Sequence, residues 1–228
     1  MPTSNEIARM LDHSLLQPYF TDDQVREGCA VALKYGVASV CARPTDIPLV
    51  AELLKGSPVA VSTVIGFPHG SNLTETKVFE AIRAIEMGCG EVDMVLNIGK
   101  LLSGDAEFVR EDIAAVARAA HERGVIVKVI LENCFLDDAQ KILACQLAEG
   151  AGADFVKTST GYGSSGSTVH DLRLMRASVS ERVRVKAAGG VRTLDAVLDA
   201  RAAGATRCGA TATEVIMEEA LRRYAPGR

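Results

Sequence analysis

The stretch "ADFVKTSTGYG", residues 153–163, decides how this chain folds. It begins as a buried strand would, breaks its apolar pattern at Lys157 and ends in glycines. The passage "VRVKAAGGVR", 183–192, repeats that arrangement around Lys186, and "VKVILE", 127–132, carries Lys128. The three lysines follow one another at a constant interval of 29 residues, the size of one βα unit.

The same unit recurs outside these passages. Five times a helical pattern gives way to a glycine and then to a short apolar run: "KYGVASVCA", "EMGCGEVDMVLN", "ERGVIVKVILE", "EGAGADFVKTS" and "AAGATRCGA". Glycine is the residue expected at a left-handed helix stop, and Val, Ile and Leu favour a following strand. With "VAVSTVIGF" (59–67) and "RVRVKAA" (182–188), seven strands are expected near 37–42, 59–65, 91–97, 125–132, 154–158, 183–187 and 205–209. A weaker eighth is expected at 8–12, before "DHSLL". Helices fall between them, one at 21–35 opened by the capping-box sequence "TDDQ". Alternating β and α elements imply parallel strands covered by helices. Eight of them close into a (β/α)8 barrel, with an open doubly wound sheet as the alternative. No linker interrupts the series, so residues 1–228 are read as one domain, with a mobile tail at "RRYAPGR".

Composition bounds the function. The net charge of −4 argues against nucleic acid, whose backbone calls for a concentrated basic surface. No run approaches the length of a membrane span. The opening "MPTSNEIARMLDHSLL" lacks a secretory pattern, and a cytoplasmic location is expected. Six scattered cysteines read as reduced thiols, and four histidines without ligand spacing suggest no metal.

Strand parity assigns the charged residues to faces. Lys128 shares a face with Ile130 and Glu132, and Asp93 shares one with Glu91, Val95 and Asn97. A parallel sheet wrapped in helices has no solvated face, so this polar set points into the barrel. Lys128, Lys157 and Lys186 should then converge near its carboxyl end, where active sites of this architecture are built. Crowded ammonium groups are expected to depress one another's pKa, and a neutral lysine is a nucleophile for a carbonyl. Three other readings remain open on pattern alone. The lysines could be structural ion pairs with Asp93 and Glu132, stabilisers of an enediolate in a barrel isomerase or a different aldolase acting on another sugar phosphate, or part of a non-catalytic phosphosugar-binding or regulatory barrel. The turns "STGYG", "AAGGVR" and "RCGATAT" let backbone N–H groups approach an anion, and a helix starting near Thr213 would aim its N-terminus there.

In these segments the chain closely resembles the deoxyribose-phosphate aldolases, which are class I aldolases. The resemblance runs from "LDHSLLQP" (11–18) through "SVCARP", "STVIGFPHG", "TETKVFEA", "EVDMVLNIGKLLSGD", "VKVILEN", "GADFVKTSTGYG" and "VRVKAAGGVRTLDA" to "GATATEV" (209–215). It implies a (β/α)8 barrel that cleaves 2-deoxy-D-ribose 5-phosphate reversibly to acetaldehyde and D-glyceraldehyde 3-phosphate, with no metal or organic cofactor. By the same resemblance Lys157 is the imine-forming lysine, Lys186 the cation that lowers its pKa, and Asp93 the acid/base. Asp12, Cys41, Lys128 and Thr158 are implied to bind substrate, and Gly161, Gly189, Gly190, Arg192, Gly209 and Thr211 to hold the phosphate. Small-molecule sugar phosphates and aldehydes are the implied partners, and a homodimer is the implied assembly. The chain departs from the family pattern at Ser14, at Asn133 and Cys134, and at Ala212, which offers no hydroxyl to the phosphate. Tyr224 is the sole candidate for a tail tyrosine that assists proton transfer in some members.

Overall fold

A computed structural model describes residues 2–224. Eight parallel strands form a closed barrel in sequence order. They are β1 (Leu11–Leu15), β2 (Ser39–Ala42), β3 (Ala60–Ile65), β4 (Glu91–Val95), β5 (Ile126–Ile130), β6 (Phe155–Lys157), β7 (Arg184–Ala188) and β8 (Ala205–Ala210). Pairing of Leu11, Asp12 and His13 with Cys208, Gly209 and Ala210 closes the ring. The expected barrel is therefore observed, and the open sheet is excluded.

Around it run α1 (Ser4–Ala8), α2 (Asp22–Tyr35), α3 (Ile47–Leu53), α4 (Thr74–Glu86), α5 (Ile98–Leu102), α6 (Ala106–His121), α7 (Asp138–Gly150), α8 (Val169–Ala177), α9 (Leu194–Ala202) and α10 (Thr213–Arg223). The capping box expected for α2 is present, with Thr21 and Gln24 satisfying each other's backbone N–H groups. The glycine stops behave as expected: Gly36, Gly88, Gly124, Gly152 and Gly204 all carry positive φ.

Four strand expectations are corrected. The first strand lies at Leu11–Leu15 rather than 8–12, because Thr3 and Glu6 form a capping box that starts α1 at Ser4. The strand expected at 91–97 ends at Val95, because Asn97 caps α5 by accepting from the Lys100 N–H. The strand expected at 125–132 ends at Ile130, and Glu132 adopts a left-handed conformation beyond it. The stretch at 154–158 contracts to Phe155–Lys157. At the chain end, Arg222 and Arg223 belong to α10 and Tyr224 ends it, packed on the core. The remaining tail residues 225–228 lie outside the described residues.

The hydrophobic core lies between barrel and helices. Outward residues such as Val40, Val92, Met94, Val127, Val129, Val156 and Val185 are fully buried there. Burying such side chains drives the assembly and leaves the barrel interior free for polar groups. All six cysteines are free thiols.

Two polar groups are sealed into this outer layer. Lys77 on α4 reaches Asp112 of α6 at 2.6 Å and the Val95 carbonyl at 3.0 Å, and both side chains are inaccessible to solvent. Thr74 donates to the other Asp112 oxygen at 2.8 Å. Lys77→Met strands that carboxylate, so unfolding titrations should show a loss of about 3–5 kcal/mol. Adding Asp112→Leu should restore part of it. His13, on the outer face of β1, is bonded to Thr213 at 2.8 Å, and burial pushes its pKa down from 6.5 to about 4. The unfolded chain binds that proton more readily than the folded one. The contribution of His13 to stability is therefore complete above pH 6.5 and lost as pH falls, by about 3 kcal/mol at pH 4. His13→Asn should flatten that part of the stability curve, measured by chemical denaturation across the range.

Candidate active site

The barrel interior gathers charge around one carboxylate. Asp93, on β4, accepts from Lys128 at 2.8 Å on Oδ1 and from Lys157 and Lys186 at 2.7 Å each on Oδ2. The lysines thus converge, at two depths. Lys157 lies level with Lys186 in the sheet register, whereas Lys128 lies level with Phe155, two residues deeper. Lys128 is completed by Glu91 at 2.7 Å. Lys186 also sits 2.5 Å from Asp12, on β1. Asp12 in turn takes the Ser39 hydroxyl at 2.7 Å and the Arg207 Nε at 2.7 Å, and Arg207 reaches Glu91 at 2.7 Å.

If every group were ionised, four cations (Lys128, Lys157, Lys186, Arg207) would face three anions (Asp12, Glu91, Asp93). One cation is in excess, and the surroundings select which. For Lys157 burial lowers the pKa, Asp93 opposes, and the Lys186 charge pushes it further down, leaving it below the ordinary 10.5. For Lys186 burial is outweighed by Asp12 and Asp93, and its pKa rises. Lys128 is raised as well, with Asp93 and Glu91 overcoming burial. Burial also works against the Asp93 charge, but the three ammonium groups hold it well below 3.8. The expectation that the crowded cations depress one another is corrected: the carboxylates win at Lys128 and Lys186, and only Lys157 is lowered.

A cavity of about 150 Å³ opens above this layer. Lys157, Lys186, Asp12 and Cys41 line its inner part, and Gly161, Gly189, Gly190, Arg192, Gly209 and Thr211 line the rest. Burial and the nearby Asp93 raise the Cys41 pKa, keeping it a thiol. Ser14, where the family pattern has threonine, also lines the cavity. Gly161, Gly189 and Gly190 adopt φ of 89°, 81° and 82°, and their N–H groups have no hydrogen-bond partner among the described residues. Such turns present donors to an anion. The N-terminus of α10 follows Thr211 immediately, as expected, and Ala212 gives it no side-chain cap.

Two expected substrate contacts lie elsewhere. Thr158 is buried outside the cavity lining, its hydroxyl donating to the Ala188 carbonyl and accepting from the Ala188 N–H. Lys128 lies level with Asp93 in the sheet register, also outside the lining. Glu132 does not pair with the lysines; it holds Thr160 instead. Tyr224 is at the end of α10 and does not line the cavity.

Three participants do not stand out in the sequence. Arg207 pairs in register with Lys186 on the adjacent strand, so the same parity argument would place it inside. Glu91 has a face by parity but no evident partner. Tyr162 stands at the cavity mouth, donating its hydroxyl to the Leu16 carbonyl at 2.6 Å and meeting Phe67 edge-on at 5.4 Å. It thereby joins the loops after β1, β3 and β6. No sequence period marks a loop contact of this kind.

A group with metal-ligand chemistry lies outside the cavity lining, where Asp138, His170 and Asp171 meet at the N-terminal turns of α7 and α8. Lys141 pairs with both aspartates at 3.3 and 2.8 Å and already compensates their charge.

Comparison with known proteins agrees with this geometry. A deoxyribose-phosphate aldolase of Thermoanaerobacter sp. (strain X514) is 52% identical over 217 residues, covering 93% of this chain and 96% of the relative. One from Thermococcus kodakarensis is 50% identical over 217 residues, covering 94% and 97%. The tetrameric structure of the deoxyribose phosphate aldolase from Aeropyrum pernix superposes with a TM-score of 0.89 at 30% identity, covering 96% of this chain and 92% of that one. The family described as DeoC/LacD family aldolase matches residues 7–213. With the sequence, the closed barrel and the buried lysines in agreement, this chain belongs to the DeoC/LacD family of aldolases.

Proposed function

We propose that this aldolase cleaves 2-deoxy-D-ribose 5-phosphate reversibly to acetaldehyde and D-glyceraldehyde 3-phosphate through an imine on Lys157. The observation that carries the reading is Lys157 itself: the one lysine of the cluster with a lowered pKa lines the cavity, 2.7 Å from a carboxylate. A neutral amine there adds to the aldehyde carbon of the open-chain sugar. Proton transfer through Asp93 and Lys186 removes the hydroxyl as water and leaves a protonated imine. Cleavage of the bond between the second and third carbons sends its electron pair into the imine, giving an enamine. The hydroxyl on the third carbon loses its proton, and glyceraldehyde 3-phosphate departs. The enamine takes a proton at carbon, and water then releases acetaldehyde and the free amine.

The electrostatics suit this sequence. An iminium on Lys157 carries the same charge as the ammonium it replaces, in the same place beside Asp93, so its formation meets a counter-charge already oriented. Lys186, held charged by Asp12 and Asp93, serves as a proton donor and depresses the Lys157 pKa. The glycine amides and Arg192 are assigned to the phosphate. The reading extends to a cytoplasmic enzyme of deoxyribose phosphate catabolism and to a homodimer. The tetrameric Aeropyrum pernix relative supports assembly of some kind, and no described helix is long and apolar enough to cross a membrane.

Two measurements test the assignment. Acetaldehyde with borohydride should leave a two-carbon adduct on Lys157, located by peptide mapping; an unmodified Lys157 under turnover conditions sinks it. Imine formation should rise with pH as Lys157 loses its proton, with an apparent pKa below 10.5. Lys186→Leu removes a neighbouring charge that favours the neutral amine, so the profile should move to higher pH. The rate near neutrality should then fall about tenfold for a displacement of roughly one on the pH axis. An unmoved profile would remove Lys186 from that role.

A further inference from the structure

Glu132 is the only non-glycine residue among those described with positive φ, at φ 55° and ψ 65°. It follows β5, is 2% exposed, and does not touch the lysine cluster. A buried residue held in the left-handed region indicates a surrounding structure that requires it there. The partner is the loop after β6. Both carboxylate oxygens lie 3.3 Å from the Thr160 N–H, and Oε2 also receives the Thr160 hydroxyl. That hydroxyl accepts the Tyr162 N–H at 3.0 Å. The neighbouring Asn133 N–H donates to the Thr158 carbonyl at 2.9 Å. A Cβ on Gly163 would come within 2.7 Å of the Cys134 sulfur and 3.1 Å of the Glu132 carboxyl carbon, so the loop closes tightly around this side chain.

The contacts leave Gly161 at the centre of the turn, flanked by two residues whose N–H groups are both occupied. Its own N–H remains without a partner among the described residues, on the cavity wall. We propose that Glu132 is a positioning residue: its carboxylate fixes the 160–163 turn so that the Gly161 amide is presented to the substrate's phosphoryl group. The proposal rests on the sugar-phosphate reading above. A carboxylate suits the task because one residue, Thr160, brings it two donors. A glutamine of the same shape has a single accepting oxygen, and its amide N–H groups would confront the Thr160 N–H. Thr160 covers the carboxylate with donors, so its charge is partly compensated before a phosphate arrives.

The test is Glu132→Gln in the full chain, with two probes. The variant should bind inorganic phosphate about tenfold or more weakly by calorimetry, and its KM for deoxyribose 5-phosphate should rise by a similar factor. Borohydride trapping of acetaldehyde on Lys157, which involves no phosphate, should proceed at the wild-type rate. Unchanged phosphate affinity, or a loss of acetaldehyde trapping as large as the rise in KM, overturns the proposal. If wild type traps no acetaldehyde while Glu132→Gln still loses phosphate, the imine mechanism fails and the positioning role stands. Should the glutamine variant not fold, Thr160→Ala removes the hydroxyl between Glu132 and Tyr162, and the same two readouts decide.

Discussion

Three ammonium groups share one aspartate, and the interior of this barrel is arranged around that fact. Asp93 is fully buried and receives Lys128, Lys157 and Lys186 within 2.8 Å. A carboxylate so placed cannot give each cation a full counter-charge. Asp12 and Glu91 supply what Lys186 and Lys128 lack, while Lys157 has only its share of Asp93. The inequality is geometric before it is chemical. Lys157 stands at the cavity, where no second carboxylate reaches it, so burial is less fully offset there than at Lys128 and Lys186.

Much of this is legible in the sequence, for a physical reason. A period of two along strands and a repeat of one βα unit are rigid rules, so spacing alone turns Lys128, Lys157, Lys186 and Asp93 inward. The glycine stops are equally plain, because a helix ending in a left-handed residue favours glycine. Less legible are features set by contacts distant in sequence. Arg207 sits on the last strand among small residues and shows its importance only against Asp12 and Glu91. The first strand starts later than its pattern suggests because the capping pair Thr3 and Glu6 converts the preceding residues into a helix. Whether the Lys186 pKa rises or falls depends on Asp12, contributed from the opposite end of the chain.

The two ends of the cavity differ in what holds them. The inner end is fixed by ion pairs between strands, so its geometry is as stiff as the sheet. The outer end is made of turns, in which Gly161, Gly189 and Gly190 need positive φ and side-chain hydroxyls are few. Ala212 continues that pattern by leaving the start of α10 without a side-chain cap. The donors offered at this end are backbone amides and Arg192, and the direction of the amides depends on how each loop is packed from behind.

The tie between Tyr162 and the Leu16 carbonyl has an evolutionary side. Its acceptor belongs to the main chain, so exchanges of side chain at position 16 leave the bond intact, whereas loss of the Tyr162 hydroxyl severs it. The two banks of the mouth are therefore under unequal constraint. The loop after β1 can drift and reshape the entrance, while the loop after β6 keeps the span closed. Variation in which aldehydes a lineage admits should accordingly accumulate on the first bank, with the second held still.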